Sequence, residues 1–256
     1  MNSAIEISNF YYENLFENFC ISINKNSFIS FSGPNNCGKT TLIRILNREI
    51  IVDSNIEING ERINSYLIEK YETLVGCIIP FEKIPKERTI EQEMYFYNDN
   101  SLEIEEILKG LRINTIKQKE IQDLSKKQFI LYQLAVELSK SPKIILIDTI
   151  SPYFEQKEMI NIIKFLKQYQ EKKEITILYI TQNLEETLYT DYLYIMDNKK
   201  ISLKGVPIEV LEKDNKINKI GLNLPFMMDL SVKLKDYNLL NEIELDKSKM
   251  VEELWK

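Results

Sequence analysis

Gly33, Gly38, Lys39 and Thr40 follow the order G-x-x-x-x-G-K-[ST] within Phe28-Ile-Ser-Phe-Ser-Gly-Pro-Asn-Asn-Cys-Gly-Lys-Thr-Thr41. An apolar run precedes the pattern and an apolar-periodic stretch follows it, so it reads as a strand, a tight loop and the start of a helix. The chemistry needs that spacing. A tight loop turns its backbone N–H groups inward around phosphate oxygens, and the helix behind it adds the positive end of its dipole. Lys39 would reach the β- and γ-phosphates, and the Thr40 hydroxyl would hold Mg²⁺. Pro34, Asn35, Asn36, Cys37 and Thr41 complete the candidate cradle.

A second stretch, Lys143-Ile-Ile-Leu-Ile-Asp148, is an apolar strand that delivers an acid at its C-terminal end. Asp148 is then a candidate for holding Mg²⁺ through water. Taken alone, it reads equally well as a capping Asp on a buried strand.

Composition removes other chemistries. The 256 residues include no histidine, which excludes His bases, His metal ligands and His switches. Cys20, Cys37 and Cys77 have neither metal nor disulfide spacing, so a reduced cytoplasm is expected. Net charge is −6, which gives no global field for nucleic acid or an anionic membrane. Met1–Glu6 carries an acid where an export signal would be basic, and apolar runs such as Ile144–Ile147 are too short to span a bilayer.

The elements that must position these residues follow from periodicity. Strands are expected at Ile5–Ile7, Phe19–Asn24, Phe28–Ser32, Ile56–Gly60, Leu74–Ile79, Lys143–Asp148 and Ile175–Ile180. A hairpin is expected from Asp191–Met196 and Lys200–Leu203 around Asp197-Asn198. From about 84 to 140 helical spacing dominates, at Ile90–Tyr97, Leu102–Leu111 and Gln128–Leu138. Helices at Leu42–Leu46, Met159–Gln170 and Leu184–Tyr189 alternate with strands, which predicts an α/β fold with a mainly parallel sheet. Beyond Gly205 the chain reads as helices broken at Pro207 and Pro225.

Asp123-Leu-Ser-Lys-Lys-Gln128 opens a helix just upstream of the acid-bearing strand, and here the sequence resembles the ATP-binding cassette (ABC) ATPases. Leu124, Ser125 and Gln128 match their L-S-G-G-Q signature. Thr181-Gln-Asn-Leu-Glu-Glu186 is similar to the family's T-H-D-L-E-E, and Leu203–Val210 resembles its closing G-x-P-x-E-V. Phe10-Tyr11-Tyr12 resembles the F-x-Y that offers a ring, here Tyr12, to adenine. The resemblance covers about residues 3–212. It implies a P-loop NTPase domain of ABC type, a mainly parallel sheet with an antiparallel β part and a helical insertion at about 84–140, with ATP and Mg²⁺ bound. Gly221-Leu-Asn-Leu-Pro-Phe226 is similar to the G-L-x-x-P-F helix of energy-coupling-factor (ECF) importer ATPases. That implies a small C-terminal helical extension over 213–256 that joins two ATPases at the end away from the P-loops.

The departures from the family pattern fall where hydrolysis would happen. Thr149 stands in place of the glutamate that polarises water, and a lost general base typically costs about 10²–10⁴-fold in rate. Gln182 replaces the histidine that senses the γ-phosphate, and it cannot carry charge. Pro80 replaces the glutamine of the Q-loop and stiffens the hinge to the insertion. Lys126 and Lys127 replace the signature glycines; relaxed selection is the plainer account, direct neutralisation of phosphate the sharper one. Asn36 replaces a loop glycine mildly, because Asn tolerates a left-handed backbone.

Binding residues are thus kept while hydrolytic residues are lost. The resemblance implies an ATP-binding subunit on the inner face of the cell membrane, in a heterodimer with a fully equipped second ABC ATPase. A transmembrane coupling subunit and a substrate-binding membrane subunit would complete the importer, with coupling contacts near Pro80–Thr89. The alternative is a non-hydrolytic subunit of the same assembly whose partner turns over. A soluble cassette acting on ribosomes or DNA fits less well, because it would favour tandem cassettes and basic surfaces.

Overall fold

The computed structural model describes residues 3–53, 55–80 and 87–255. Strands β1 (Ser3–Tyr12), β2 (Phe16–Asn24) and β3 (Phe28–Ser32) lead into helix α1 (Lys39–Leu46). There follow β4 (Ile56–Ile58), β5 (Glu61–Arg62), α2 (Ile68–Leu74) and β6 (Val75–Ile78). The insertion carries α3 (Ile90–Tyr97), α4 (Ser101–Gly110) and α5 (Lys126–Ser139). The chain then alternates through β7 (Ile144–Asp148), α6 (Gln156–Lys173), β8 (Thr176–Ile180) and α7 (Leu184–Thr187) to the hairpin β9 (Tyr192–Asp197) and β10 (Lys200–Gly205). Helices α8 (Pro207–Leu211), α9 (Asp214–Lys219), α10 (Phe226–Asp236) and α11 (Lys247–Leu254) close it.

Two sheets form. The larger has the order β10-β9-β3-β8-β7-β6, parallel except for β10; the smaller, β2-β1-β4-β5, is antiparallel. Every residue of β3, β7 and β8 is buried, as expected of largely apolar strands in a parallel sheet covered on both faces. On one face, Ile104, Ile107 and Leu108 of the insertion pack with Leu134 and Leu138 of α5 and Ile145 and Ile147 of β7. On the other, Leu42 and Ile43 of α1 fill the space between Leu146 and Leu178 of this sheet and Phe10, Phe16 and Phe19 of the antiparallel one.

This order decides where chemistry can occur. Strands β3, β8 and β7 are adjacent and parallel, so the loops after their carboxyl ends emerge side by side. In open α/β sheets ligands bind at that edge. The phosphate loop, Thr149 and Gln182, far apart in sequence, all leave from it.

Hairpin turns at Asn198 (φ 45°) and Lys199 (φ 69°), and at Asn59 (φ 52°) and Gly60 (φ 87°), place both central residues in the left-handed region that a tight two-residue hairpin requires. Pro207 occupies the first turn of α8 and Pro225 immediately precedes α10, so these prolines open helices. Helix α2 was not anticipated. It buries only Tyr71, and Leu67 and Ile68 are exposed, so it has no apolar stripe to read. Residues 81–86, which include most of the expected coupling contact at Pro80–Thr89 and the start of the expected insertion, lie outside the described residues.

Candidate nucleotide-binding site

The loop from β3 to α1 is shaped by close approaches. A Cβ on Gly33 would lie 2.3 Å from the carbonyl oxygen of Met196, so no side chain fits there. Gly38 has φ 102°, and a Cβ on it would lie 3.1 Å from Cζ of Phe16. Asn36 holds φ 61°, a left-handed conformation that Asn accepts better than most residues. Gly38 supplies no side-chain cap to α1, which leaves the first amides of that helix for another acceptor. Lys39 folds back over the loop: its Nζ donates to the carbonyl oxygens of Gly33 (2.9 Å) and Pro34 (2.7 Å) and lies 3.4 Å from Cys37 Sγ.

Beside the loop opens a cleft of about 360 Å³. Asn35, Asn36, Gly38, Lys39, Thr40 and Thr41 form one wall; Thr149 and Gln182 form the other, and Leu15 borders it. Gln182 Nε2 donates to Asn35 Oδ1, bridging the walls. Thr149 holds φ 38°, unusual for a β-branched residue, and its hydroxyl donates to Asp148 Oδ1 at 2.8 Å. Among the described residues no Glu lines this cleft.

The residues fit a magnesium triphosphate. Asp148 is 3% exposed, and no ion pair among the described residues reaches it. A buried carboxylate without a cation is costly, and a bound metal would compensate it. Thr40 and Asp148 offer the hard oxygen ligands that Mg²⁺ takes, and the α1 amides with Lys39 offer an anion cradle.

Other expected residues lie elsewhere. Tyr12 stacks on Phe10, with ring centroids 6.2 Å apart and planes 10° apart, while Leu15 borders the cleft. Pro80 is half-buried just past β6. The signature forms the start of α5, outside the cleft's lining. Leu124 is buried, and Ser125 and Gln128 close a reciprocal capping box. Lys119 Nζ also donates to Gln128 Oε1 at 3.2 Å. Lys127 pairs with Glu158 of α6 at 2.5 Å and lies over the Phe154 ring, whereas Lys126 is exposed. The Lys127 ammonium holds the Glu158 carboxyl below its ordinary value, helped by the Glu155 backbone N–H.

Sequence reasoning missed three features. Leu15 was given no role. Gly221–Phe226, expected to lead away from the phosphate loop, lines a second cavity of about 450 Å³ together with Pro34, Asn35 and Gln182. Glu186, noted only as part of a motif, is a buried carboxylate that accepts from Tyr179, Thr181, Ser151 and Asn183. No local pattern foretells this convergence, because one donor, Ser151, lies 35 residues away in the chain.

A sheet that delivers a phosphate loop, a strand-end Asp and a polar switch loop to one edge defines a nucleotide-binding cassette. The sequence profile described as "ABC transporter" matches residues 16–150, more than half of the chain, which therefore belongs to the ABC transporter family. The chain is 24% identical over 264 residues to the energy-coupling factor transporter ATP-binding protein EcfA of Pediococcus pentosaceus, covering 96% of this chain and 94% of that protein. It is 25% identical over 248 residues to EcfA1 of Bacillus subtilis, covering 92% and 88%. Among solved structures it resembles cbiO1 of Clostridium perfringens, described as part of the ABC transporter complex cbiONQ. The TM-score is 0.74 at 21% identity, over 90% of this chain and 99% of that one. A nucleotide-free ATP-binding cassette from an ABC transporter gives 0.69 at 22% identity, over 87% and 100%. These likenesses establish the ABC cassette fold with its antiparallel β part.

Proposed function

We propose that this chain is the ATP-binding subunit of an ECF-type importer, that it binds Mg²⁺ and ATP in the cleft, and that its own hydrolysis is impaired. The observation that carries the reading is the asymmetry of the cleft. One wall is an intact cradle of Lys39, Thr40 and the α1 amides; the other presents Thr149 and Gln182, neither of which is a base at neutral pH. Support for the importer assignment comes from the relatives' names and from their coverage along nearly the whole chain.

In this reading the cleft binds the triphosphate. Lys39 would move from its own carbonyls to phosphate oxygens, and Asp148 and Thr40 would hold Mg²⁺, which would neutralise charge on the phosphates. Thr149 orients toward Asp148 and takes no proton from water. The chain acts as a heterodimer with a second ABC ATPase at the inner membrane face, and coupling and substrate-binding membrane subunits carry the transport. Among the described residues no helix is long and apolar enough to cross a membrane, which agrees with a peripheral role. A second reading, a subunit that never hydrolyses while its partner does, is favoured by the Thr149–Asp148 hydrogen bond, which occupies the acid's neighbourhood with a non-basic group.

The test is equilibrium binding of labelled ATP with magnesium, then single-turnover hydrolysis by the chain alone and with its partner ATPase. Binding with hydrolysis about 10²-fold or more below the partner's is expected, and Thr149→Glu should raise it if the missing base limits it. Brisk phosphate release by the isolated chain would overturn the impairment. No uptake of nucleotide by folded protein, even beside its partner, would overturn the whole reading.

A further inference from the structure

Glu186 is 1% exposed, sits at α7, and is not among the residues that line the nucleotide cleft. Its Oε2 accepts from Thr181 Oγ1 (2.5 Å), Tyr179 OH (2.6 Å) and Ser151 Oγ (2.7 Å), and its Oε1 accepts from Asn183 Nδ2 (3.2 Å). No ion pair among the described residues reaches it. A buried carboxylate held only by neutral donors persists when each donor is fixed, and it fixes them in return.

The donors' positions give the arrangement its meaning. Thr181 and Asn183 flank Gln182, and Asn183 N donates back to Thr181 Oγ1 at 3.0 Å. Ser151 is two residues past Thr149. One carboxylate therefore ties the loop that carries Gln182 to the loop that carries Thr149, and both side chains enter the cleft on the wall opposite the phosphate loop. Among the described residues the hydrogen bond made by Gln182's own amide runs across the cleft, to Asn35.

We infer that Glu186 is a positioning residue: by clamping the 149–151 and 181–183 loops together it sets Gln182 at the distance where its amide engages the terminal phosphate of a bound triphosphate. The inference rests on the nucleotide reading above and deepens it. It assigns a contact to the third phosphate, beside that of Lys39, to the Gln182 amide held in place by Glu186. Replacing Glu186 by Gln keeps the volume but puts an NH₂ where an acceptor was. The NH₂ must face either the three hydroxyls or Asn183, whose own side-chain oxygen already caps α7. Gln182 then loses its fixed position while the cradle stays whole.

The experiment compares the affinities of the full chain for Mg·ATP and Mg·ADP in the wild type, Glu186→Gln, Ser151→Ala, Gln182→Ala and the Glu186→Gln/Gln182→Ala double variant. The wild type should prefer ATP, and Glu186→Gln should cut that preference about tenfold with ADP affinity held within about twofold, since a displaced hydrogen bond to a charged group is worth that much. Ser151→Ala, which removes one tether without touching the carboxylate, should cut it in the same direction and carries the test if Glu186→Gln does not fold. In the double variant the losses should be less than additive, because one residue acts through the other. An unchanged ATP-to-ADP ratio in folded variants would overturn the inference, and so would an equal loss for both nucleotides, which marks a merely structural role. Failure of the wild type to bind either nucleotide would instead overturn the nucleotide reading and the inference with it.

Discussion

Asn36 shows what one residue in the phosphate loop must tolerate. Its φ of 61° lies in the left-handed region, which costs most L-residues about 1–2 kcal/mol. Asn36→Val should destabilise the chain by at least that much in urea melts, whereas Asn36→Gly should be neutral within error. Cys37 offers a second probe at this scale. Its thiol sits 3.4 Å from Lys39 Nζ beside the cleft, so bound Mg·ATP should shield it from alkylation. The other cysteines serve as internal controls. Cys20 is exposed and should label regardless of nucleotide. Burial pushes the Cys77 thiol far up, with Glu49, Glu137 and Asp148 adding to it, so Cys77 should stay inert. Site-resolved mass spectrometry reads all three, and equal labelling of Cys37 with and without nucleotide would contradict occupancy of the cradle.

Helices α5 and α6 are joined at their N-termini by an ion pair. Lys127 could be taken as a cation aimed at phosphate, yet it is bound to Glu158 within the same cassette, and Glu158 also caps α6 through the Glu155 backbone N–H. The Glu158 carboxyl is thereby held below its ordinary 4.5. A depressed carboxylate contributes stability that is fully present above that value and lost as pH falls through the folded-state value. Both side chains are about 40% exposed, so the contribution is at most about 1 kcal/mol. Lys127→Ala should move the Glu158 titration partway back up in an NMR titration, the backbone N–H keeping the rest, and its stability cost should vanish once pH falls below the folded-state value. An unmoved titration would show that the pair does not persist in solution. Lys126, exposed on the same helix turn, is the signature lysine left to face outward.

Across the whole molecule, the C-terminal extension is less separate than its sequence suggests. Ile217, Leu222, Met228 and Val232 share one buried cluster with Leu184 of α7, Leu193 and Ile195 of β9 and Leu203 of β10. Removing residues 213–256 would uncover that cluster, at roughly 1.5–3 kcal/mol for each large side chain exposed. The truncated chain should therefore melt well below the full one and aggregate in differential scanning fluorimetry. An unchanged melting temperature would show an independent appendage. The same packing brings Gly221–Phe226 beside Asn35 and Gln182, so the extension begins next to the nucleotide cleft.

What could be read without coordinates was whatever is written in short spacing. The cradle Gly33–Thr41, the strand ending at Asp148, the helical insertion and the hairpin all declare themselves through local pattern, since loop geometry and periodicity are set by neighbours in the chain. Helix α2 escaped because it has no stripe, and Tyr12 rests on Phe10 because residues two apart in a strand share a face. Only the tertiary structure could bring Thr149 and Gln182 to one cleft, aim Lys127 at Glu158 and carry Ser151 to Glu186. Those contacts depend on the order of strands β3, β8 and β7, and strand order is decided by how the two faces of the sheet bury their cores, a balance that no local stretch of sequence contains.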